Sequence, residues 1–182
     1  MENICTFFIK KIITLSNLSK DSDDIEVYVY GLLTFVYTII PIGILITIGL
    51  ILDKSLEMLV WLITFISVRK YAGGYHAKNP LSCFLYSVLL GLSSLIICSH
   101  ITLIDANLYL MCIIVHLIIL VTLAPITKKE FSQETILLCK VKIGLLISIF
   151  AVILFFFPSM QSIYLHALFC TSFLLVAQFW QK

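Results

Sequence analysis

The stretch Val29-Tyr30-Gly31-Leu32-Leu33-Thr34-Phe35-Val36-Tyr37-Thr38-Ile39-Ile40-Pro41-Ile42-Gly43-Ile44-Leu45-Ile46-Thr47-Ile48-Gly49-Leu50-Ile51-Leu52 contains no charged side chain. As an α-helix rising about 1.5 Å per residue it runs about 36 Å, enough to cross a hydrocarbon core of about 30 Å. Five further apolar stretches follow it: Ser55–Val68, Leu81–Ile104, Asn107–Ile126, Val141–Phe157 and Met160–Trp180. Over all 182 residues, 61% are hydrophobic and only 12% are charged. The mean hydropathy is +1.11. A soluble domain carries about 25% charged residues; half that number cannot cover a water-facing surface. The composition excludes a cytosolic enzyme, a nucleic-acid binder and a disordered chain. It points to an all-α polytopic integral membrane protein of about six transmembrane helices.

Two of the six stretches are short. Fourteen residues from Ser55 give about 21 Å of helix, so that span needs Asp53 and Lys54 at one interface and Arg69 and Lys70 snorkelling to the other. The alternative is a re-entrant segment. The charge distribution supports a crossing. With the N-terminus cytoplasmic, the cytoplasmic segments hold Lys10, Lys11, Lys20, Arg69, Lys70, Lys78, Lys128, Lys129, Lys140, Lys142 and Lys182, and only Lys54 lies outside. The positive-inside bias asks for that split, and omitting the second span would destroy it. Both termini and the segment 69–83 are therefore expected on the cytoplasmic side of a cell membrane.

Ahead of the first span, Ile4, Phe7, Phe8, Ile12, Leu15 and Leu18 recur at helical spacing around Lys10 and Lys11. This is the pattern of an amphipathic helix lying in the interface. It is not that of a signal peptide, because its lysines interrupt the apolar run. The expected organisation is one membrane domain over 1–182, with the interfacial helix in 1–20 and the spans in 29–180. Gly43, Gly49, Gly91, Ser93 and Ser94 permit close helix packing, and a homodimer is expected.

The most polar stretch between spans is Arg69-Lys70-Tyr71-Ala72-Gly73-Gly74-Tyr75-His76-Ala77-Lys78-Asn79-Pro80-Leu81-Ser82-Cys83. Pro80 suits a first helical turn and Asn79 an N-cap, which puts Cys83 in the first turn of the third span. A positive helix end and nearby cations favour a thiolate. A histidine within reach can take the thiol proton and return one to a leaving amine. Gly73 and Gly74 let backbone N–H groups approach a ligand, as in an oxyanion site. A basic, glycine-containing loop is also what an ordinary cytoplasmic turn looks like, and a Cys–His pair alone is a weak signal.

The other cysteines, Cys5, Cys98, Cys112, Cys139 and Cys170, read as small apolar residues; neither a disulfide framework nor a C-x-x-C site is expected. His116 and His166 lie inside spans, where helix–helix hydrogen bonding is expected. Glu130 and Glu134 could orient His76, but no third catalytic residue can be assigned. No metal ligand set is visible, and no cofactor or nucleic acid is expected.

The run Arg69 to Ala77 followed by Cys83, with Ala124-Pro125 closing the fourth span before a lysine-containing loop, resembles the accessory gene regulator B (AgrB) family of quorum-sensing membrane peptidases. The resemblance implies a cysteine endopeptidase acting on an AgrD-like precursor signal peptide with an amphipathic leader, a central signal segment and an acidic C-terminal tail. It implies that Cys83 is the nucleophile and His76 the general base and acid. Cleavage leaves an acyl thioester on Cys83, which a thiol of the peptide displaces to give a thiolactone autoinducing peptide; in some relatives a serine gives a lactone. Exchange of one thioester for another costs little. A site that limits water and holds the peptide thiol close favours ring closure over hydrolysis. Lys128 and Lys129, with Arg69 and Lys70, are expected to attract the acidic tail. The rival readings are a peptide exporter or membrane scaffold without chemistry, and a membrane acyltransferase using a similar Cys–His site.

Overall fold

A computed structural model describes Phe7, Lys11 and residues 22–75, 80–101, 104–125 and 132–180. Phe7 and Lys11 are helical and exposed; the rest of the expected interfacial helix lies outside the described residues. Six helices follow: α1 (Ser22–Ile51), α2 (Ser55–Ala72), α3 (Pro80–Ser99), α4 (Ala106–Leu123), α5 (Gln133–Phe155) and α6 (Pro158–Phe179). All except α2 are long and apolar enough to cross a membrane. The chain is a multi-pass helical membrane protein.

The helix ends correct the sequence reading in three places. The second stretch is not short: α2 has 18 residues, about 27 Å, because Arg69 and Lys70 lie inside its last turn. The fifth is not short either. It starts at Gln133, where the Ser132 hydroxyl accepts from the Thr135 N–H at 3.3 Å, so Lys140 and Lys142 belong to the helix. The third ends at Ser99, short of the expected Ile104. α4 begins at an Asp105 cap that accepts from the Asn107 and Leu108 N–H groups. It stops at Leu123, as the residue before a proline is biased away from helix.

α2 and α6 form the spine. They pack more extensively on each other than any other helix pair. Both apolar cores run along them. One joins Val68 and Ala72 of α2 to α4, α5 and Tyr164, Leu168 and Leu175 of α6. The other joins Met58, Trp61, Leu62 and Phe65 of α2 to α1, α3 and Ile163, Ala167 and Leu174 of α6. The arrangement follows from composition. α2 carries Glu57, Arg69 and Lys70, and α6 is the least apolar of the five candidate spans. Lipid is a poor solvent for both. More than half of α6's apolar stretch is buried, against less than a fifth in each of the other four spans.

Several polar groups are paired between helices, although Trp61 Nε1 and Gln161 Oε1 are buried without a partner among the described residues. The Tyr164 hydroxyl donates to the Ile147 carbonyl at 2.7 Å, and the Tyr109 hydroxyl to the Ala151 carbonyl at 3.2 Å. His116 Nδ1 lies 3.1 Å from Ser172 Oγ, the helix–helix bond expected of it. His166 does otherwise: its partner is Cys170, one turn along the same helix.

Gly49 and Gly91 serve packing within the chain. A Cβ on Gly91 would lie 2.6 Å from Leu45 side-chain atoms, and one on Gly49 would lie 2.9 Å from Met58 Cβ. Gly49 therefore sets the close approach of α1 and α2. Gly43 meets nothing within 4 Å. Gly49→Val is expected to lower the unfolding temperature in detergent by the equivalent of about 1–3 kcal/mol. Gly43→Ala should leave it unchanged or raise it, since alanine is the better helix former by about 1 kcal/mol. Equal effects from the two would contradict this packing.

Candidate functional site

The end of α2 and the start of α3 meet at Cys83. Cys83 is the fourth residue of α3, in its first turn as the Pro80 signal indicates, and its side chain is half-buried. Ser87, one turn on, donates to the Cys83 carbonyl at 3.0 Å. Arg69 reaches the site from the last turn of α2 and lines the same small cavity as Cys83.

The glycine pair lets the chain leave α2 and press against α6. Gly73 has φ +74° and Gly74 φ +118°, a region unfavourable for side-chain-bearing residues. A Cβ on Gly74 would sit 3.5 Å from the Leu174 backbone. The Gly73 N–H closes α2 on the Arg69 carbonyl at 2.9 Å, so it is committed.

Tyr75 is then fixed from both sides. Its N–H donates to the Leu174 carbonyl at 3.0 Å, and its carbonyl accepts from the Arg69 guanidinium at 2.7 Å. The guanidinium also lies over the Phe65 ring, 5.4 Å from its centroid. The Tyr75 ring meets Tyr86 edge-on at 6.4 Å. Arg69, Tyr75, Cys83, Tyr86, Ser87, Leu90 and Leu174 line one small cavity.

A larger cavity of about 470 Å³ shares Arg69, Cys83 and Ser87 with it and adds Lys70 and Gly73. Of the residues singled out in the sequence, the structure thus gathers Cys83, Arg69, Lys70 and Gly73, with Gly74 adjoining. Lys70 also lies 5.7 Å from the Tyr71 ring centroid, with Lys142 at 5.2 Å from the same ring. His76, Lys128 and Lys129 lie outside the described residues. Tyr75, Tyr86, Ser87 and Leu174 are neighbours that the sequence reading missed. Helical spacing from Cys83 would have suggested Tyr86 and Ser87; nothing local points to Leu174, which comes from another helix.

A multi-pass helical bundle with a cysteine, an arginine and a glycine pair gathered where α2 gives way to α3 defines the class. The family model described as accessory gene regulator B matches residues 2–181, and the chain belongs to that family. It is similar to AgrB-like protein 2 of Clostridium perfringens strain 13 and to an AgrB-like protein of strain SM101. Each is 30% identical over 92 residues, 50% of this chain and 42% of the relative. The match therefore spans less than half the length of those relatives. No solved structure matches the chain.

Arg69→Lys keeps the charge but gives up the planar donor fork. Loss of the bond to the Tyr75 carbonyl is expected to cost about 1–2 kcal/mol locally. Amide hydrogen exchange at Tyr75 should rise roughly tenfold, while exchange in α4 and α5 stays unchanged. Unchanged protection at Tyr75 would mean that Arg69 does not fix this segment.

Proposed function

We propose that the protein is a membrane cysteine endopeptidase and cyclase of quorum sensing. It removes the acidic tail of an AgrD-like precursor peptide through an acyl thioester on Cys83, then closes the peptide into a thiolactone. The observation that carries this reading is that Tyr75, anchored at both backbone groups, lines one small cavity with Cys83. His76 is the next residue, one Cα step of about 3.8 Å further along the chain.

In this reading His76 takes the proton of the Cys83 thiol, and the sulfur attacks the carbonyl at the end of the signal segment. A backbone N–H of the Gly73-Gly74 pair receives the developing oxyanion. The tetrahedral intermediate collapses as His76 returns its proton to the departing amine, and the tail leaves. The peptide's own thiol then attacks the thioester carbonyl, forming the ring bond and releasing Cys83. Arg69 positions the segment before His76 and, with Lys70, Lys128 and Lys129, presents positive charge to the acidic tail.

The eleven-to-one distribution of basic residues supports a cytoplasmic site and cytoplasmic termini. A homodimer is also part of this reading. It now rests on Gly43, which is open to an outside neighbour, because Gly49 and Gly91 are used within the chain. Crosslinking in native membranes that yields only monomer would remove it.

Cys83→Ala should abolish tail release in liposomes. His76→Ala should reduce it by about 10²–10⁴-fold, the usual contribution of acid–base catalysis. Cys112→Ala should retain processing. In intact cells an impermeant thiol reagent should not reach a cysteine placed at Ala77. Tail release by Cys83→Ala would overturn the covalent mechanism, and labelling from outside would overturn the orientation.

A further inference from the structure

The cavity at Cys83 is larger than a thiol, a base and a scissile bond require. Its volume is about 470 Å³, within the range of sites for small-molecule ligands, about 300–1,000 Å³. Along α2 its wall runs from Trp61 to Gly73, about 18 Å at about 1.5 Å per residue. The wall is divided by chemistry. Arg69, Lys70, Cys83 and Ser87 line it where α2 ends and α3 begins, while Ile42, Leu45, Trp61 and Phe65 line it deeper in the bundle.

We propose that this cavity is the acyl-side specificity pocket. It takes apolar side chains of the precursor immediately N-terminal to the cleaved bond, and Ile42, Leu45, Trp61 and Phe65 decide which side chains fit. The proposal rests on the peptidase reading above. A peptide carbonyl at Cys83 has two arms, and only one can enter. An acidic arm is excluded: a carboxylate at membrane depth is costly, and Arg69 and Lys70 hold positive charge where α2 ends. The acyl arm stays covalently attached until the ring closes. Burying a leucine- or phenylalanine-sized side chain there is favourable relative to water. It also plugs the cavity beside the thioester, so that the peptide thiol competes with less water.

The test uses the whole protein in liposomes and two precursors that differ only in the residue before the cleaved bond, Phe or Ala. The native protein should prefer Phe at least tenfold in kcat/KM. Ile42→Trp narrows the pocket and should cancel or reverse that preference while the Ala precursor is still processed. No preference in the native protein, or an equal loss for both precursors in the variant, overturns the proposal.

A second measurement needs neither precursor nor variant. N-benzylmaleimide and N-ethylmaleimide are compared for their alkylation rates at Cys83, with Cys139 of the same molecules as the reference for membrane partitioning. The benzyl-to-ethyl rate ratio should be several-fold higher at Cys83. Equal ratios at the two cysteines overturn the pocket. A ratio that changes with the length of the vesicle's acyl chains identifies lipid as the occupant and also overturns the proposal. A raised ratio at Cys83 in a protein that processes no precursor overturns the peptidase reading, and with it the acyl-side assignment, while leaving an apolar cavity at the thiol.

Discussion

α2 carries Glu57 near one end and Arg69 and Lys70 near the other; it leaves the apolar face of Leu56, Leu59, Ile63 and Ile66 exposed and buries Met58, Trp61, Leu62, Phe65 and Val68 against protein. α6 supplies the principal cover, and the remaining helices stand around this pair. The pairing also makes the site. Leu174 of α6 offers its carbonyl to Tyr75 just beyond the end of α2. Gly74, at φ +118°, supplies the backbone conformation that brings Tyr75 against α6. Arg69 then completes the hold from the α2 side. The packing of α2 on α6 therefore also fixes the chain leading to His76.

Much of this was written in the local sequence, and the exceptions share a physical cause. The apolar stretches located five candidate spans, and the charge split argued for the sixth crossing. The first-turn position of Cys83 followed from Pro80. α2 and α5 were read too short because Arg69, Lys70, Lys140 and Lys142 looked like the borders of apolar segments. A helix end can carry such side chains at the interface without breaking its hydrogen bonds. Gly49 and Gly91 were legible as packing residues, but their partners Met58 and Leu45 depend on which helices meet. For the same reason spacing could not tell that His116 would find Ser172 on another helix while His166 would find Cys170 on its own.

The candidate site was legible as chemistry and not as shape. Arg69, the glycine pair, His76 and Cys83 are a set whose roles can be argued from residue type alone. Tyr75 as the clamped residue, Leu174 as its anchor and the apolar cavity behind the thiol are products of packing. They bear on the central difficulty of making a thiolactone in water, which is that hydrolysis of the thioester is downhill. In the proposed mechanism an apolar wall beside Cys83 and a fixed chain on its other side would hold the acyl group in a poorly hydrated space until the peptide thiol arrives.

The Cys83 thioester is tested most directly by trapping it. A precursor whose internal cysteine is replaced by alanine can be cleaved but cannot close its ring. Incubated with the protein in liposomes, it should leave its acyl portion on Cys83. Mass analysis should find that adduct after denaturation without thiols, and neutral hydroxylamine, which cleaves thioesters and spares amides, should remove it. Tail release with no adduct on Cys83, or an adduct that resists hydroxylamine, would contradict the mechanism.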